Sequence, residues 1–551
     1  MDYFAEKKYY DVIIIGGGIT GAGTARDCAM RGLKTLLVER FDFTAGATGR
    51  NHGLLHSGAR YAVTDKESAS ECITENMILR RIARHCVEDT GGLFVTLQDD
   101  DLGYQAKFVE SCRTSGINAE VIDPAEARRL EPAVNPGIIG AVKVPDGAVD
   151  PFRLTISNVV DAVRNGADVL TFHEVQSLIV VGGKVVGVRM LDKRGKREVE
   201  AYSSLVINAA GIWGYLVAKK AGITINMFPA KGALLIFGHR INNMVINRCR
   251  KPADADILVP GDTISLIGTT SSRVPYEDID NMRVTRDEVD VLLREGSLIA
   301  PVLASTRIIR AYAGVRPLVA ADNDPSGRSI SRGIVCLDHA SRDGLDGFIT
   351  ITGGKLMTYR LMAEKAVDMA CAKLGRNAVC RTAETMLPGS DDMPGYKVKK
   401  DCGDGLLPDQ QSAVRAATGR HGSLSRHIVC DKESDRAVVC ECEQVSVGEI
   451  RYAMDQLHAD RLVSLRRRTR LGMGTCQGEL CACRAAGVMA ALGKDPVSTL
   501  ADLKSFIAER WKGMEAVAWG DTLAEAQLME WLYMGMCGLD RVPGLSYSKK
   551  Q

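Results

Sequence analysis

No stretch of this sequence offers 18 consecutive uncharged apolar residues, so no segment is expected to span a membrane. The opening MDYFAEKKYY lacks the apolar core of a secretory signal, and export is not expected either. Charge of one sign is also missing. The 70 Lys and Arg face 68 Asp and Glu, and a net charge of +2 provides no global field for nucleic acid or anionic lipid. Internal repeats and low-complexity tracts are absent. Sixteen cysteines without a secretory leader do not read as a disulfide framework, and scattered ones such as Cys28, Cys112 and Cys336 read as buried thiols. At 551 residues the chain exceeds what one core supports, so two to four domains are expected.

What is present begins at residue 11. The β-branched run Asp11–Ile15 leads into Gly16-x-Gly18-x-x-Gly21, then a helical TARDCAMRG and the apolar run 34–39, which ends at Glu39. Strand, tight turn, helix and strand make a βαβ unit. The glycines let the backbone approach a pyrophosphate, and the helix N-terminus offers its free N–H groups to the phosphates. Glu39, 23 residues after Gly16, is placed to accept the ribose hydroxyls of an adenosine. Two more strand-to-glycine junctions follow, Leu205-VINAAG and Gly347-FITITGGK. Together they predict one nucleotide-binding sheet assembled from segments near 10–64, 151–221 and 333–385. A substrate domain is expected from 65–150 and 222–332, with strands at 233–238 and 263–270. The Pro/Gly/Asp/Lys-rich stretch after 386 reads as a linker to about 435. A cysteine-bearing domain (436–490) and a tail (491–551) follow. The tail holds Trp511, Trp519 and Trp531, which read first as core and second as a subunit interface.

The clustered cysteines are Cys440-x-Cys442 and, after 33 intervening residues, Cys476-x4-Cys481. Two close pairs far apart make a tetrathiolate donor set that suits zinc or an iron–sulfur cluster. Cys483 is an alternative fourth ligand. Arg466-Arg-Arg-Thr-Arg470 stands just before Cys476. It reads as a solvated basic face or docking patch, with tuning of a negative cluster as the second reading.

The fingerprint alone does not separate FAD from NAD. The segment after Glu39, FDFTAGATGRNHGLLHSGARY, resembles the flavin-cradling segment of D-amino-acid-oxidase-like flavoproteins. Ser57-Gly-Ala-Arg60-Tyr61, Ala313-Gly-Val-Arg316-Pro317-Leu318, Ser331-Arg332 and Gly353-Gly-Lys355-Leu-Met-Thr-Tyr-Arg360 narrow the resemblance to FAD-dependent glycerol-3-phosphate dehydrogenases. The cysteine region resembles the bacterioferritin-associated-ferredoxin-like [2Fe-2S] domain, although that family often spaces its second pair C-x2-C. With it, nearly the whole chain resembles the anaerobic bacterial branch of the dehydrogenase family. The fold implied is α/β: a discontinuous Rossmann-like FAD-binding domain with an inserted mixed-sheet substrate domain, plus a small C-terminal [2Fe-2S] domain.

The resemblance implies oxidation of sn-glycerol 3-phosphate to dihydroxyacetone phosphate by hydride transfer to FAD. Electrons would leave through the cluster, held by Cys440, Cys442, Cys476 and Cys481. It further implies a second catalytic subunit, a membrane-anchoring iron–sulfur subunit, and delivery to the menaquinone or ubiquinone pool on the cytoplasmic face of the inner membrane. By the same resemblance, Gly16, Gly18, Gly21, Glu39, Arg40, Thr48, Gly353, Gly354, Lys355, Leu356 and Thr358 bind the cofactor. Arg60, Tyr61, Arg316 and Arg332 bind substrate, and His56, Arg316 and Lys355 are the catalytic candidates. Guanidinium forks suit a phosphomonoester dianion. His56 is either the base for the hydroxyl proton or a packing partner of the flavin ring. Lys355 or Arg316 would stabilise developing negative charge. The aerobic branch carries histidine in a K-G-x-H segment, but here the segment reads Lys231-Gly232-Ala233-Leu234. The remaining readings are an amino-acid or 2-hydroxy-acid dehydrogenase of the same superfamily, or a flavin/iron–sulfur electron-transfer subunit.

Overall fold

The computed structural model describes residues 8–319, 333–391 and 406–542. Its first sheet is built on the strand Tyr9–Ile15, flanked in parallel by Thr35–Val38 and Arg197–Asn208. Asp168–Leu170 extends the parallel set beyond Thr35–Val38, and Phe348–Gly353 extends it beyond the C-terminal half of Arg197–Asn208. Alternate side chains of Tyr9–Ile15 serve opposite faces. Val12 and Ile14 pack with the helices Ile19–Met30, Pro151–Arg164 and Tyr359–Lys373. Ile13 and Ile15 pack toward the antiparallel hairpin His173–Val181/Lys184–Asp192. Burial on both faces is why the run is continuously apolar rather than alternating. All three sequence-predicted glycine junctions fall at the same ends of three neighbouring parallel strands, where an open α/β sheet binds its ligand.

A second, nine-stranded mixed sheet gathers strands from Gly92–Val144 and Met227–Val319. Its spine is the long antiparallel ladder between Met227–Phe237 and Ile308–Val319. Ser265–Gly268 pairs Met227–Phe237 on the other side, so both alternating runs read from the sequence are strands of this sheet. Gly92–Thr96 joins Val245–Arg248 in parallel, which brings the two sequence-distant halves of the sheet together.

The described part of 386–435 is folded. Pro408 starts the helix Pro408–His421, which the Pro/Gly-rich composition before it obscures in the sequence. Arg420 on this helix pairs with the buried Glu449 and donates to the Glu443 carbonyl, next to Cys442. A hairpin Val438–Cys440/Val445–Ser446 and the helices Val447–Gln456, Leu462–Thr469 and Cys481–Ala491 follow. Their apolar residues belong to the same core as helices Ile19–Met30 and Pro151–Arg164, so the cysteine region is packed onto the nucleotide-binding layer.

His85 fastens this arrangement at a buried point, with Nδ1 at 2.8 Å from Ser390 and Nε2 at 3.0 Å from Ser157. Desolvation first, then Arg153 and His421, push its pKa down from 6.5 to about 3, while Asp391 opposes them. The unfolded chain therefore binds a proton that the folded chain refuses between those values. Stability should fall by up to about 1.4 kcal/mol per pH unit as the pH drops below 6.5. Thermal midpoints of the wild type and His85→Gln followed from pH 7.5 to 5 should show a shallower acid slope in the variant.

Candidate functional site

An elongated cavity of about 740 Å³ runs along the glycine junctions of the first sheet. At its centre Gly16 takes φ +117°, and a Cβ there would stand 2.6 Å from the Ala209 carbonyl oxygen. A Cβ on Gly21 would stand 1.8 Å from the Gly16 carbonyl oxygen, so only glycine lets the helix start this close to the turn. Gly18 is the N-cap of Ile19–Met30 without a side-chain cap, and Thr48 Oγ1 accepts from Ile19 N at 3.1 Å. A backbone cradle with hydroxyl and free amides is the donor set a pyrophosphate needs. Glu39 lines the cavity beyond it, its carboxylate accepting from Gly17 N (2.7 Å) and Phe41 N (2.8 Å) and keeping lone pairs for ribose hydroxyls. At the outer end Arg40 lies 4.6 Å over the Trp213 ring and 4.7 Å over Phe41. Asp280 locks it, accepting from Arg40 Nη2 at 2.5 Å and Trp213 Nε1 at 2.8 Å. Neither Trp213 nor Asp280 is legible as a site residue beforehand; Trp213 stands in the NAAGIWG run, but nothing in the sequence links it to Asp280. These residues fit a flavin dinucleotide along the cavity. Gly21→Val should drive the helix off the turn, and the purified variant should retain less than about a tenth of the wild-type FAD, read as bound flavin absorbance per chain.

His56, Arg60, Tyr61, Arg316 and Gly353–Leu356 line the same cavity. His56 is buried, its ring 5.3 Å from that of Tyr61, and Lys355 Nζ lies 4.7 Å over the same Tyr61 ring. Arg316, opposite Ala230 in the long ladder, donates to Thr269 Oγ1 (2.5 Å), the Thr270 carbonyl (3.2 Å) and the Lys231 carbonyl (3.2 Å). Gly232 makes the room: a Cβ there would lie 2.5 Å from Arg316 Nη2. The missing histidine of the K-G-x-H pattern is not replaced by Lys231, which is buried against Glu288 at 2.7 Å. Arg60 reaches the cavity wall with Nη2 on Asp256 (3.0 Å), while its Nη1 is buried with no hydrogen-bond partner among the described residues. Thr358 does not line the cavity; its hydroxyl accepts from Lys355 N and so shapes the turn that presents Lys355. Arg332 lies outside the described residues.

The four sequence-predicted thiols come together. Cys476 contacts Cys442 and Cys481, and Cys481 contacts Cys440. Backbone N–H groups of Gly472 and Glu443 point at Cys440, and those of Gly478 and Leu480 at Cys476. Thiol donation from Cys442 and then Cys481, with these amides, holds Cys476 well below the usual thiol range. Among the described residues no three His, Cys, Asp or Glu side chains are grouped to hold a single metal ion. Cys483 is exposed and faces Cys537 instead. A buried orphan tests the fit of a negative cluster. Arg510, paired through Nη2 with Glu525, leaves Nε and Nη1 without hydrogen-bond partners among the described residues at 2% exposure, and Cys476 is among the groups acting on it. Arg484, tied to Glu441, is likewise acted on by Cys481 and Cys440. Cationic N–H donors beside thiolates suit an anionic [2Fe-2S] centre.

The basic run is not a solvated face. Arg468 and Arg467 pair with Asp42, three residues after Glu39, and Arg470 pairs with Glu443, Asp262 and Asp150. These arginines are ties between the two cofactor regions, because Asp42, Asp150 and Glu443, which they meet, are buried and only Asp262 is exposed. The tail differs from expectation too. Trp511 and Trp531 are 48% and 59% exposed, and only Trp519 is packed, under the Arg286 guanidinium at 3.8 Å.

Comparison with known proteins gives the family. The family model "FAD dependent oxidoreductase" matches residues 11–360, and the "BFD-like [2Fe-2S] binding domain" model matches 438–491. An anaerobic glycerol-3-phosphate dehydrogenase subunit of Haemophilus influenzae is 59% identical over 542 residues, 98% of this chain and 95% of the relative. The protein of the same name from Escherichia coli K12 is 60% identical over 537 residues, 97% and 98% of the two chains. The glycerol-3-phosphate dehydrogenase of Bacillus halodurans, solved with FAD, superposes with a TM-score of 0.69 at 22% identity over 94% of this chain and 97% of its own, a likeness of fold. The chain belongs to the FAD-dependent oxidoreductase family and, within it, to the anaerobic glycerol-3-phosphate dehydrogenase subunits that the first two relatives represent, with FAD and a [2Fe-2S] cluster as its cofactors.

Proposed function

We propose that this chain oxidises sn-glycerol 3-phosphate to dihydroxyacetone phosphate and passes the two electrons on to protein partners. The observation that carries the reading is Arg316, fixed by three acceptors in the wall of the dinucleotide cavity that Lys355, Tyr61 and His56 also line. Near end-to-end identity to relatives named for this activity supports it. When bound, FAD supplies the two-electron acceptor and the [2Fe-2S] cluster the one-electron carrier. Arg316, Arg60 and Arg332 hold the phosphate dianion, with Tyr61 walling the pocket. His56 takes the C2 hydroxyl proton as the hydride leaves. Lys355 offsets the negative charge that develops beside it. Cys440, Cys442, Cys476 and Cys481 ligate the cluster.

Among the described residues no helix is long and apolar enough to cross a membrane. A second catalytic subunit, together with a membrane-anchoring iron–sulfur subunit at the cytoplasmic face, would then carry electrons to the quinone pool. The exposed Trp511 and Trp531 offer that assembly an apolar surface. Anaerobic titration with glycerol 3-phosphate tests the reading, with flavin absorbance and the cluster's EPR signal followed together. Bleaching at one equivalent of substrate is expected. Bleaching only by proline or 2-hydroxyglutarate would refute the substrate, and no bleaching by any of them would leave an electron-transfer subunit.

A further inference from the structure

A second cavity, of about 650 Å³, lies between the flavin-cradling segment and the cysteine region. One wall is Arg50–Gly53, shared in part with the dinucleotide cavity, and the far end reaches Cys442. Arg316 and Lys355 do not line it, so it is not the substrate pocket described above.

Its chemistry is unbalanced. Arg50, Arg310, Arg466 and Lys512 all line it, and Glu509 is the one carboxylate that acts on all four. Glu509 stands 3.7 Å from Arg310 and is itself 46% exposed at its side chain. Among the described residues Arg50, Arg466 and Lys512 form no ion pair, and Arg466 Nε is buried without a hydrogen-bond partner. Desolvation pushes all four cations below their ordinary range, and within the set Arg310 adds to the shift of Arg466, and Arg50 and Arg310 to those of Lys512. Space is kept for the arrangement. A Cβ on Gly513 would stand 2.8 Å from Arg310 Nε. Cations that have lost part of their water and face one another are retained at a cost unless an anion arrives to share them. Phe152, Tyr312 and Met473 give the same chamber apolar walls.

We propose that this chamber is a second anion site, taking a phosphate-class dianion with an apolar body, held by Arg50, Arg310, Arg466 and Lys512. The probe is radiolabelled inorganic phosphate in equilibrium dialysis against the full-length holoenzyme, at constant ionic strength set with chloride. An Arg316→Leu background removes the substrate-site contact. One phosphate per chain should remain bound in that background, and adding Arg466→Gln with Lys512→Gln should weaken it at least tenfold. No phosphate bound in the Arg316→Leu background, or binding indifferent to the double substitution, would overturn the proposal. Thermal midpoints separate a ligand role from a structural one. In phosphate-free chloride buffer, Arg466→Gln should melt higher than the wild type, because it removes a half-buried cation that has no ion pair among the described residues. A lower midpoint would make the guanidinium a strut of the fold and would overturn the proposal as well.

Discussion

Replacing Arg316 with leucine is expected to lower kcat/KM for glycerol 3-phosphate by about 10³-fold, near 4 kcal/mol, the scale of removing one partner from a desolvated charge pair. The guanidinium is held by the Thr269 hydroxyl and the Thr270 and Lys231 carbonyls, so its orientation is set before substrate arrives. That preorganisation is what leucine loses, and lysine, a point charge without the fork, should recover only part of it. The loss should fall mainly on KM if the phosphate is gripped equally before and during hydride removal, and on kcat as well if Arg316 also steadies developing charge. Steady-state kinetics with a dye acceptor separate the two. Gly232→Ala gives an independent approach to the same point, since its methyl would enter the space of Nη2. A variant at either position with unchanged kcat/KM would remove Arg316 from substrate recognition.

Local signals in the sequence are strong where one short segment carries its own chemistry. The glycine turn, Glu39, the three strand-to-glycine junctions and the four thiols are each written in a few adjacent residues, and the structure gathers them as the spacing implies. What stays hidden depends on pairs distant in sequence. Asp280 meets Arg40 and Trp213 only because the second sheet folds back over the nucleotide cavity. The basic run at 466–470 reads as solvated when its own neighbours alone are considered. Its partners Asp42, Asp150 and Asp262 lie more than 200 residues away. Arg510 carries no signal at all, since nothing local distinguishes a helical arginine that meets a thiolate from one that meets water. The lysine of the K-G-A-L segment shows the opposite hazard: a residue in a recognisable motif that the fold turns to a structural pair with Glu288.

Replacing Cys481 with alanine should uncouple the two halves of the reaction. Cys481 is fully buried at the first residue of the helix Cys481–Ala491, against Cys440 and Cys476, so a methyl there removes a donor that no neighbouring side chain can replace. Cys483, the only other thiol on that turn, points to Cys537 and would have to unwind the helix start to substitute. Iron content should fall and the dithionite-reduced sample should lose its EPR signal. The dinucleotide cavity is lined by none of these cysteines, so flavin bleaching by glycerol 3-phosphate in a single turnover should stay within about twofold of the wild type. Steady turnover with quinone in the assembled complex should drop by about 10² or more, because the reduced flavin then has no one-electron exit. Cys483→Ser supplies the contrast: it should leave the EPR signal and both rates unchanged. The inverse pattern, with the signal lost in Cys483→Ser and kept in Cys481→Ala, would move the fourth ligand two residues along the helix. Slow flavin bleaching in Cys481→Ala would instead mean that the cysteine region supports the flavin site itself, through the Asp42 ties to Arg467 and Arg468. Asp42→Asn should then reproduce the slow bleaching with the cluster signal intact, which separates loss of the tie from loss of the metal.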